Sequence, residues 1–93
     1  MNYYVYMITN QKNKTLYIGV TNNIERRIFE HKTQQMKGFS SKYHLDKLVY
    51  YEIHNRPYDA IVREKQLKKW NRSWKERIIN ELNPNWEDLS NLF

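Results

Sequence analysis

The stretch that decides the fold runs from Tyr3 to Val20 and reads YYVYMITNQKNKTLYIGV. It contains two runs of aromatic and β-branched residues, separated by a polar segment rich in turn-forming residues. Such a pattern predicts two strands joined as a β-hairpin. We take the strands as Tyr3–Ile8 and Thr15–Val20.

The register of this hairpin depends on the length of its loop. A loop over Asn10–Asn13 places Tyr6 opposite Tyr17 and Tyr4 opposite Gly19. Because side chains alternate along a strand, one face then carries three tyrosines and a glycine. The other face is predicted to be core and carries Val5, Met7, Leu16, Ile18 and Val20. Tyrosines beside a glycine also occur in ordinary sheet packing, so the pair alone does not indicate a site.

Length and composition limit the classes of protein. Ninety-three residues predict one domain with a modest core. The absence of cysteine excludes a disulfide framework, a thiolate zinc site and a cysteine nucleophile. No signal peptide and no apolar run of about 20 residues is visible, so we expect a cytoplasmic protein without a membrane partner.

The net charge of +6 is unevenly distributed. Residues 1–50 contain eight bases and three acids, whereas residues 51–93 contain eight bases and seven acids. A positive half rich in aromatics favours a nucleic-acid partner, DNA first, with RNA not excluded. The alternative is a basic domain with no dedicated ligand, since charge alone does not define a site.

A first helix is predicted over about 23–35. Arg27 and His31 lie one turn apart on this helix, on a different face from the apolar Ile24 and Ile28. The segment Lys37–Asp46 that follows is a loop by composition.

Bases and aromatics interleave in this loop, which carries Lys37, Phe39, Lys42 and Tyr43. That arrangement suits a phosphate backbone and stacked bases. An ordinary surface loop with its aromatics turned inward is equally compatible. A third strand over Lys47–Ile53 is expected to pair antiparallel with the hairpin.

A second helix is predicted over about Tyr58–Trp70. Ala60, Glu64 and Leu67 form its inward stripe, while Arg63 is expected to face water with the neighbouring lysines. A carboxylate on an inward stripe is costly unless it is paired or binds a metal. Glu64 is therefore either a member of an ion pair or a metal ligand.

A third helix is predicted after the capping-box pattern Ser73–Glu76 and ends before Pro84. Trp70 and Trp74 flank its start, and we expect them to pack between helices. Residues 1–83 form the predicted domain. Residues 84–93 form an acidic and apolar tail that packs on the domain or marks a partner surface.

Four residues on four consecutive elements carry chemistry that packing alone does not require: Tyr6, Tyr17, Arg27 and Glu64. Phosphodiester hydrolysis needs a group that accepts a proton from water and a cation that neutralises the phosphate. A phenol whose pKa is lowered by nearby cations can take the proton, and a forked guanidinium suits a phosphate. One carboxylate with waters and substrate oxygens can hold Mg²⁺. We predict that the four side chains meet in one solvent-reachable cleft.

The pattern Tyr4-Val5-Tyr6, ten residues, then Tyr17-Ile18-Gly19 resembles the paired triads of the GIY-YIG nucleases. Arg27 with His31 one turn later, and Glu64 in an Arg-Glu-Lys setting, are also similar to that family. The resemblance extends over nearly the whole chain and is closest to small stand-alone bacterial members. Tyr4 departs from the pattern, since it replaces the first glycine.

The resemblance implies an α+β fold, with a small three-stranded antiparallel sheet flanked by about three helices. It also implies a site. Tyr17 or Tyr6 would activate or position water, Arg27 would hold the phosphate, and Glu64 would bind one Mg²⁺ or Mn²⁺ ion. His31 would be an auxiliary acid or base. Gly19, Lys42 and Tyr43 would contact substrate, and a late asparagine (Asn71, Asn83 or Asn85) often joins the site.

Three functions follow as hypotheses. The first is a metal-dependent endonuclease acting on DNA, including structured or damaged DNA in repair or recombination, either alone or with a protein partner that supplies specificity. The second is a nucleic-acid-binding module that keeps the site without the activity. The third is an adaptor that uses the tail.

Overall fold

Residues 1–35, 38 and 42–93 are described by a computed structural model of the chain. The described elements form an α+β fold of three strands and three α-helices, as predicted. In chain order they are β1 (Tyr3–Thr9), β2 (Leu16–Thr21), α1 (Ile24–Lys32), β3 (Lys47–His54), α2 (Pro57–Lys69) and α3 (Arg72–Leu82). A short 3₁₀ helix, Leu89–Leu92, follows. The predicted loop residues Lys37 and Phe39 lie outside the described residues.

The three strands form one antiparallel sheet in the order β2-β1-β3. β1 lies in the centre of the sheet, and it has the longest buried run of the three strands, from Val5 to Thr9. β2 is therefore an edge strand, and its outer side faces away from the rest of the sheet. The predicted antiparallel pairing of the third strand is confirmed, with β1 as its partner.

The hairpin register differs from the prediction by two residues. Tyr6 pairs with Gly19, and Ile8 pairs with Tyr17. The loop is longer than predicted because Asn10 closes it locally. The Asn10 carbonyl accepts from the Asn13 amide at 3.0 Å, and its side-chain oxygen accepts from the Lys14 amide at 2.8 Å. A shift of two residues preserves the alternation of side chains, so the predicted division of the two faces is correct.

Both faces of the sheet are covered. α2 and α3 pack on the face that carries Val5, Met7 and Ile18, together with Ala60, Leu67 and Ile79. The other face packs against α1 through Tyr6, Ile8, Leu48, Ile24, Ile28 and Leu45. The tyrosine face is thus also core, and each side of the sheet has its own apolar cluster.

Asparagines cap the starts of α1 and α3, whereas α2 begins at Pro57 without a side-chain cap. The Asn23 side chain accepts from the Arg26 amide at the start of α1, and Asn71 accepts from the Trp74 amide at the start of α3. The predicted Ser73–Glu76 capping box is therefore wrong, since Ser73 lies inside the helix. Each asparagine satisfies an amide that has no partner within its helix.

Arg63 does not face water as predicted. Its guanidinium donates to both carboxylate oxygens of Glu52 on β3 at 2.9 and 3.0 Å, and its side chain is only 25% exposed. The Tyr50 hydroxyl also donates to Glu52, and His54 Nε2 lies 3.1 Å from the same carboxylate. This group fastens α2 to the third strand.

The tail packs on the sheet beside α1. Asp88 accepts from the Leu48 amide at 3.2 Å and from Lys32 Nζ at 2.6 Å. The ring of Phe93 meets Tyr4 and Tyr51 edge-on, with centroids 5.8 and 5.1 Å apart. Within the described residues, the helices are all too short and too polar to cross a bilayer.

Candidate active site

Three aromatic rings meet beneath α1. Tyr6 comes from the central strand, Tyr17 from the edge strand and His31 from the last turn of the helix. The ring centroids are 6.4 Å apart for the two tyrosines, 5.7 Å for Tyr6 and His31, and 5.8 Å for Tyr17 and His31. The Tyr6 hydroxyl and His31 Nε2 share a buried hydrogen bond of 3.0 Å. We call Tyr6, Tyr17 and His31 the ring cluster.

Gly19 provides the space for this arrangement. It pairs with Tyr6 across the strands, and a Cβ built at Gly19 would lie 2.5 Å from Cζ and 2.8 Å from Cε1 of the Tyr6 ring. Real side chains do not approach so closely, so a larger residue would displace the phenol. The glycine is required here by a close approach of a ring to the neighbouring backbone.

Arg27 lies one turn before His31 on the same side of α1, as predicted. Its Nε is 3.3 Å from Glu30, which also pairs with Arg26 at 3.5 Å. The Arg27 side chain is 32% exposed, so the guanidinium is accessible to an anion. Sequence reasoning passed over Glu30, although its spacing of three and four residues from the two arginines signals both ion pairs.

The prediction of a phenol with a lowered pKa is wrong for Tyr6. Burial raises the pKa of this phenol well above its usual value, and the nearby Tyr17 adds to the rise. Arg27 lowers it by its charge and by a hydrogen bond, but not enough to compensate. Tyr6 is completely buried, and it therefore stays a neutral phenol.

His31 is held neutral. Burial is the main cause that lowers its pKa from 6.5 to about 4; the positive charge of Arg27 acts in the same direction, and Glu30 opposes the shift. At neutral pH the ring is therefore uncharged, with one nitrogen as a hydrogen-bond acceptor and the other as an N–H donor. Tyr6, one of the four residues predicted to meet in a solvent-reachable cleft, is buried, and so is His31, whereas Tyr17 and Arg27 are partly exposed.

Glu64 belongs to α2, on the face of the sheet opposite the ring cluster. Its side chain is only 15% exposed and pairs with Lys68 at 3.3 Å, which confirms the inward position and the ion pair. Ile61, one turn earlier, lies beside Val20 of β2, so Glu64 is on the side of α2 nearest the edge strand.

The edge strand thus separates Glu64 from the ring cluster. A ligand that touches both would have to pass around the outer side of β2, the strand at this edge of the sheet. That Glu64 meets Tyr17 and Arg27 in one cleft stays a prediction.

Comparison with known proteins is decisive for the family. Residues 2–77, most of the chain, match the GIY-YIG catalytic domain. The chain belongs to this nuclease family. The resemblance inferred from the paired triads is therefore confirmed, and the position of Gly19 over the Tyr6 ring gives one physical reason for the second triad.

The curated relatives are small proteins of similar length. A UPF0213 protein of Clostridium perfringens is 37% identical over 81 residues, which cover 83% of this chain and 82% of that protein. A UPF0213 protein of Natronomonas pharaonis is 33% identical over 82 residues, with coverage of 84% and 91%.

The fold is shared with a solved relative. The solution NMR structure of the UPF0213 protein BH0048 from Bacillus halodurans has a TM-score of 0.60 with 24% identity, covering 95% of this chain and 93% of that one. The names of these relatives state no activity.

A metal would have few protein ligands here. Within the described residues, no three histidine, aspartate or glutamate side chains are grouped so as to enclose an ion. A single carboxylate such as Glu64 nevertheless fits Mg²⁺, because this ion keeps several waters and takes phosphate oxygens as ligands. The donor set is compatible with an ion that arrives with the substrate.

The remaining predicted residues lie apart from the ring cluster or have structural partners. Lys42 and Tyr43 are exposed, and Lys42 Nζ lies 5.4 Å from the Tyr43 ring centroid. Of the late asparagines, Asn71 caps α3, and the buried Asn83 donates to the carbonyls of Val49 and Glu87.

Proposed function

We propose that this GIY-YIG protein is a metal-dependent endonuclease that hydrolyses phosphodiester bonds in DNA. The single observation that carries the proposal is the convergence of the ring cluster and Arg27 around Gly19. A neutral phenol–imidazole pair, a second phenol at the surface and a guanidinium are what water activation next to a phosphate requires.

Arg27 is the group that binds the scissile phosphate. Its forked donors match phosphate oxygens, and the exchange of Glu30 for a phosphate keeps the guanidinium paired. The Glu30 pair is partly exposed, so its loss costs little. Glu30 thus holds Arg27 in position until the substrate arrives.

Tyr17 is the phenol that contacts the attacking water. It is partly exposed, whereas Tyr6 is completely buried. Tyr6 and His31 share a hydrogen bond behind it, and their rings hold the Tyr17 ring in position. General-base assistance to an attacking water contributes about 10²- to 10⁴-fold to a rate.

Glu64 is the residue that would hold Mg²⁺ or Mn²⁺. When bound, such an ion supplies Lewis acidity to the phosphoryl and leaving oxygens. Lys68 competes for the same carboxylate in the free protein. We therefore expect Lys68→Ala to tighten Mn²⁺ binding and Glu64→Ala to abolish it, as measured by isothermal titration calorimetry.

The proposal is tested by nicking assays with Mg²⁺ or Mn²⁺ on duplex, nicked, flap and branched DNA, and on RNA strands. Tyr17→Phe, Arg27→Ala and Glu64→Ala should each reduce nicking at least about 100-fold while circular dichroism shows a retained fold. Arg26→Ala is the matched control, because Arg26 shares Glu30 but is 75% exposed. Full activity in the three variants would refute these roles.

A second function is favoured by one observation. Tyr6 and His31 are sealed from solvent, and Arg27 is already paired, which also suits a binding module that does not turn over. Salt-sensitive DNA binding with no product, across all substrates and both metals, would establish that function instead. Either activity is compatible with a partner protein that supplies specificity and with a role in repair or recombination.

A further inference from the structure

A groove crosses the junction of α2 and α3, on the face of the molecule opposite the ring cluster. It consists of two adjoining cavities of about 260 and 410 Å³ that share Trp70 as a common wall. Trp74 and Arg77 line the first cavity, and Lys65 and Lys69 line the second. Among the residues that the structure describes, no carboxylate lines either cavity. We call this the junction groove.

The charge around the junction groove is strongly positive. Residues 63–77 contain seven lysines or arginines and two glutamates, a net charge of +5. Residues 51–93 as a whole carry only +1, so the remainder of that half is net negative. Residues 51–93 are therefore nearly neutral only as an average, because their positive charge is concentrated in residues 63–77 on α2 and α3.

The two tryptophans of the groove differ in burial: Trp70 is partly buried against the core, as the sequence predicted, whereas Trp74 is not. Trp70 and Trp74 meet edge-to-face with centroids 5.7 Å apart, but Trp74 remains 53% exposed. The Arg63 guanidinium lies over the Trp70 ring, with Cζ 5.2 Å from the ring centroid. One tryptophan is thus fixed in the wall, and the other presents an open ring to solvent beside cations.

We infer that the junction groove binds unpaired nucleotides of a nucleic-acid strand, with Trp74 stacking on a base and Lys65, Lys69 and Arg77 contacting phosphates. An exposed ring bordered by cations is the arrangement that binds single strands, because every base has a π-face and every nucleotide has a charge. An apolar protein partner would not need the cations, and an acidic peptide would not need the ring.

The groove and the ring cluster can hold one strand. Because the two sites lie on opposite faces, the strand must pass around the molecule, whose longest extent is 31 Å. Half a circumference of that diameter is roughly 50 Å, which about 14 nucleotides span at about 3.4 Å each. This assignment rests on the nucleic-acid substrate proposed above, and it makes the groove an anchor for a single-stranded segment away from the cut.

The test separates base stacking from phosphate contact. Binding of a fluorescent single-stranded DNA 12-mer is measured by fluorescence anisotropy, with a metal chelator present to prevent cleavage. An abasic 12-mer, which keeps the phosphates but lacks the bases, is measured in the same way. Trp74→Ala should weaken binding of the normal strand on the order of tenfold and leave the abasic strand unchanged. Tyr58→Ala is the matched control, since Tyr58 is an exposed aromatic on α2 outside the groove.

Cations are tested by salt dependence. Lys65→Ala, Lys69→Ala and Arg77→Ala should each lower the slope of log affinity against log salt by about 0.7, whereas Arg56→Ala, at the other end of α2, should not. Equal losses on both strands in Trp74→Ala, or tighter binding of a polyglutamate peptide than of DNA, would overturn the inference. Nicking of duplex DNA by the unaltered protein tests the proposed endonuclease activity by itself, so the two proposals fail separately.

Discussion

At the scale of single residues, the second triad has a steric meaning. Replacing Gly19 with alanine would put a methyl group inside the van der Waals radius of the Tyr6 ring. We expect Gly19→Ala to lower the free energy of unfolding by about 1–3 kcal/mol, as overpacking in a core does, and to move the phenol away from His31. Urea unfolding measures the first effect.

A double-mutant cycle checks that the Tyr6 ring is the cause. Tyr6→Phe should not rescue Gly19→Ala, because the ring carbons themselves lie within 3 Å of the added Cβ. Tyr6→Val removes the ring, so the alanine should then be nearly neutral, with a coupling free energy above about 1 kcal/mol. Additive effects of Gly19→Ala and Tyr6→Val would contradict this explanation.

His31 should make stability depend on pH. Its pKa falls from 6.5 to about 4 on folding, so below pH 6.5 the unfolded chain binds a proton that the folded chain excludes. The free energy of unfolding should therefore be highest above pH 6.5 and fall by roughly 2 kcal/mol between pH 7 and pH 5. Urea titrations at both values measure the difference, and His31→Gln should remove most of it.

The pH range over which stability is lost distinguishes His31 from the carboxylates whose pKa values are lowered by folding. Burial raises the pKa of Glu52, but hydrogen bonds from Arg63, Tyr50 and His54 lower it more. For Asp88, burial is likewise outweighed, mainly by Lys32. These groups contribute stability above their usual values of 4.5 and 3.8 and lose it below them. A fall confined to pH below 4.5 would therefore point to the carboxylates.

Residue types were easier to predict than residue pairs. The tyrosine face of the hairpin follows from a period of two, which survives a shift of two residues. The pair Tyr6–Gly19 does not follow, because it depends on how Asn10 closes the loop. The raised pKa of Tyr6 was equally hidden, since its main cause is burial, which depends on the tertiary structure.

At the scale of elements, an ion pair between Arg63 and Glu52 adds to the apolar contact between α2 and β3. Arg63→Met would leave the Glu52 carboxylate with the donors of Tyr50 and His54 alone, in a site where it is 17% exposed. We expect a loss of about 1–3 kcal/mol in the free energy of unfolding by urea. Lys65→Met on the exposed side of the same helix should change it by less than about 0.5 kcal/mol.

This ion pair shows what helical periodicity can and cannot predict. The stripe of Ala60, Glu64 and Leu67 was found by spacing alone, and the structure has all three turned inward. Arg63 borders that stripe, and its inward turn depends on Glu52 being on the nearest strand. The orientation of such a long side chain depends on tertiary contacts, because the position of its ion-pair partner decides it and the spacing along the helix does not.

At the scale of the whole molecule, the order of strands governs the candidate site. The sequence predicts three strands but not that β1 is central and β2 is an edge. That order places Tyr17 and Glu64 on opposite faces but both next to the outer side of β2. A shared ligand is therefore predicted around an edge, and this follows from the topology rather than from any local pattern.

The C-terminal tail packs on the same face of the sheet as α1. Phe93 packs against Tyr4 and Tyr51, so Phe93→Ala should lower the free energy of unfolding by about 1–2 kcal/mol. Leu92→Ala is the matched control, since Leu92 is 63% exposed and should be nearly neutral. Thermal unfolding by circular dichroism measures both.

The comparison of Phe93→Ala with Leu92→Ala also decides whether the tail is part of the folded core or a surface that binds a partner protein. A partner surface must be exposed, whereas Phe93 is covered by two tyrosines and Asp88 is bound to Lys32, which directly follows His31 on α1. If the tail is structural, Phe93→Ala should also alter the environment of His31, seen as a shift of its ring resonances by NMR. Unchanged stability together with loss of a bound protein would instead make the tail a docking segment.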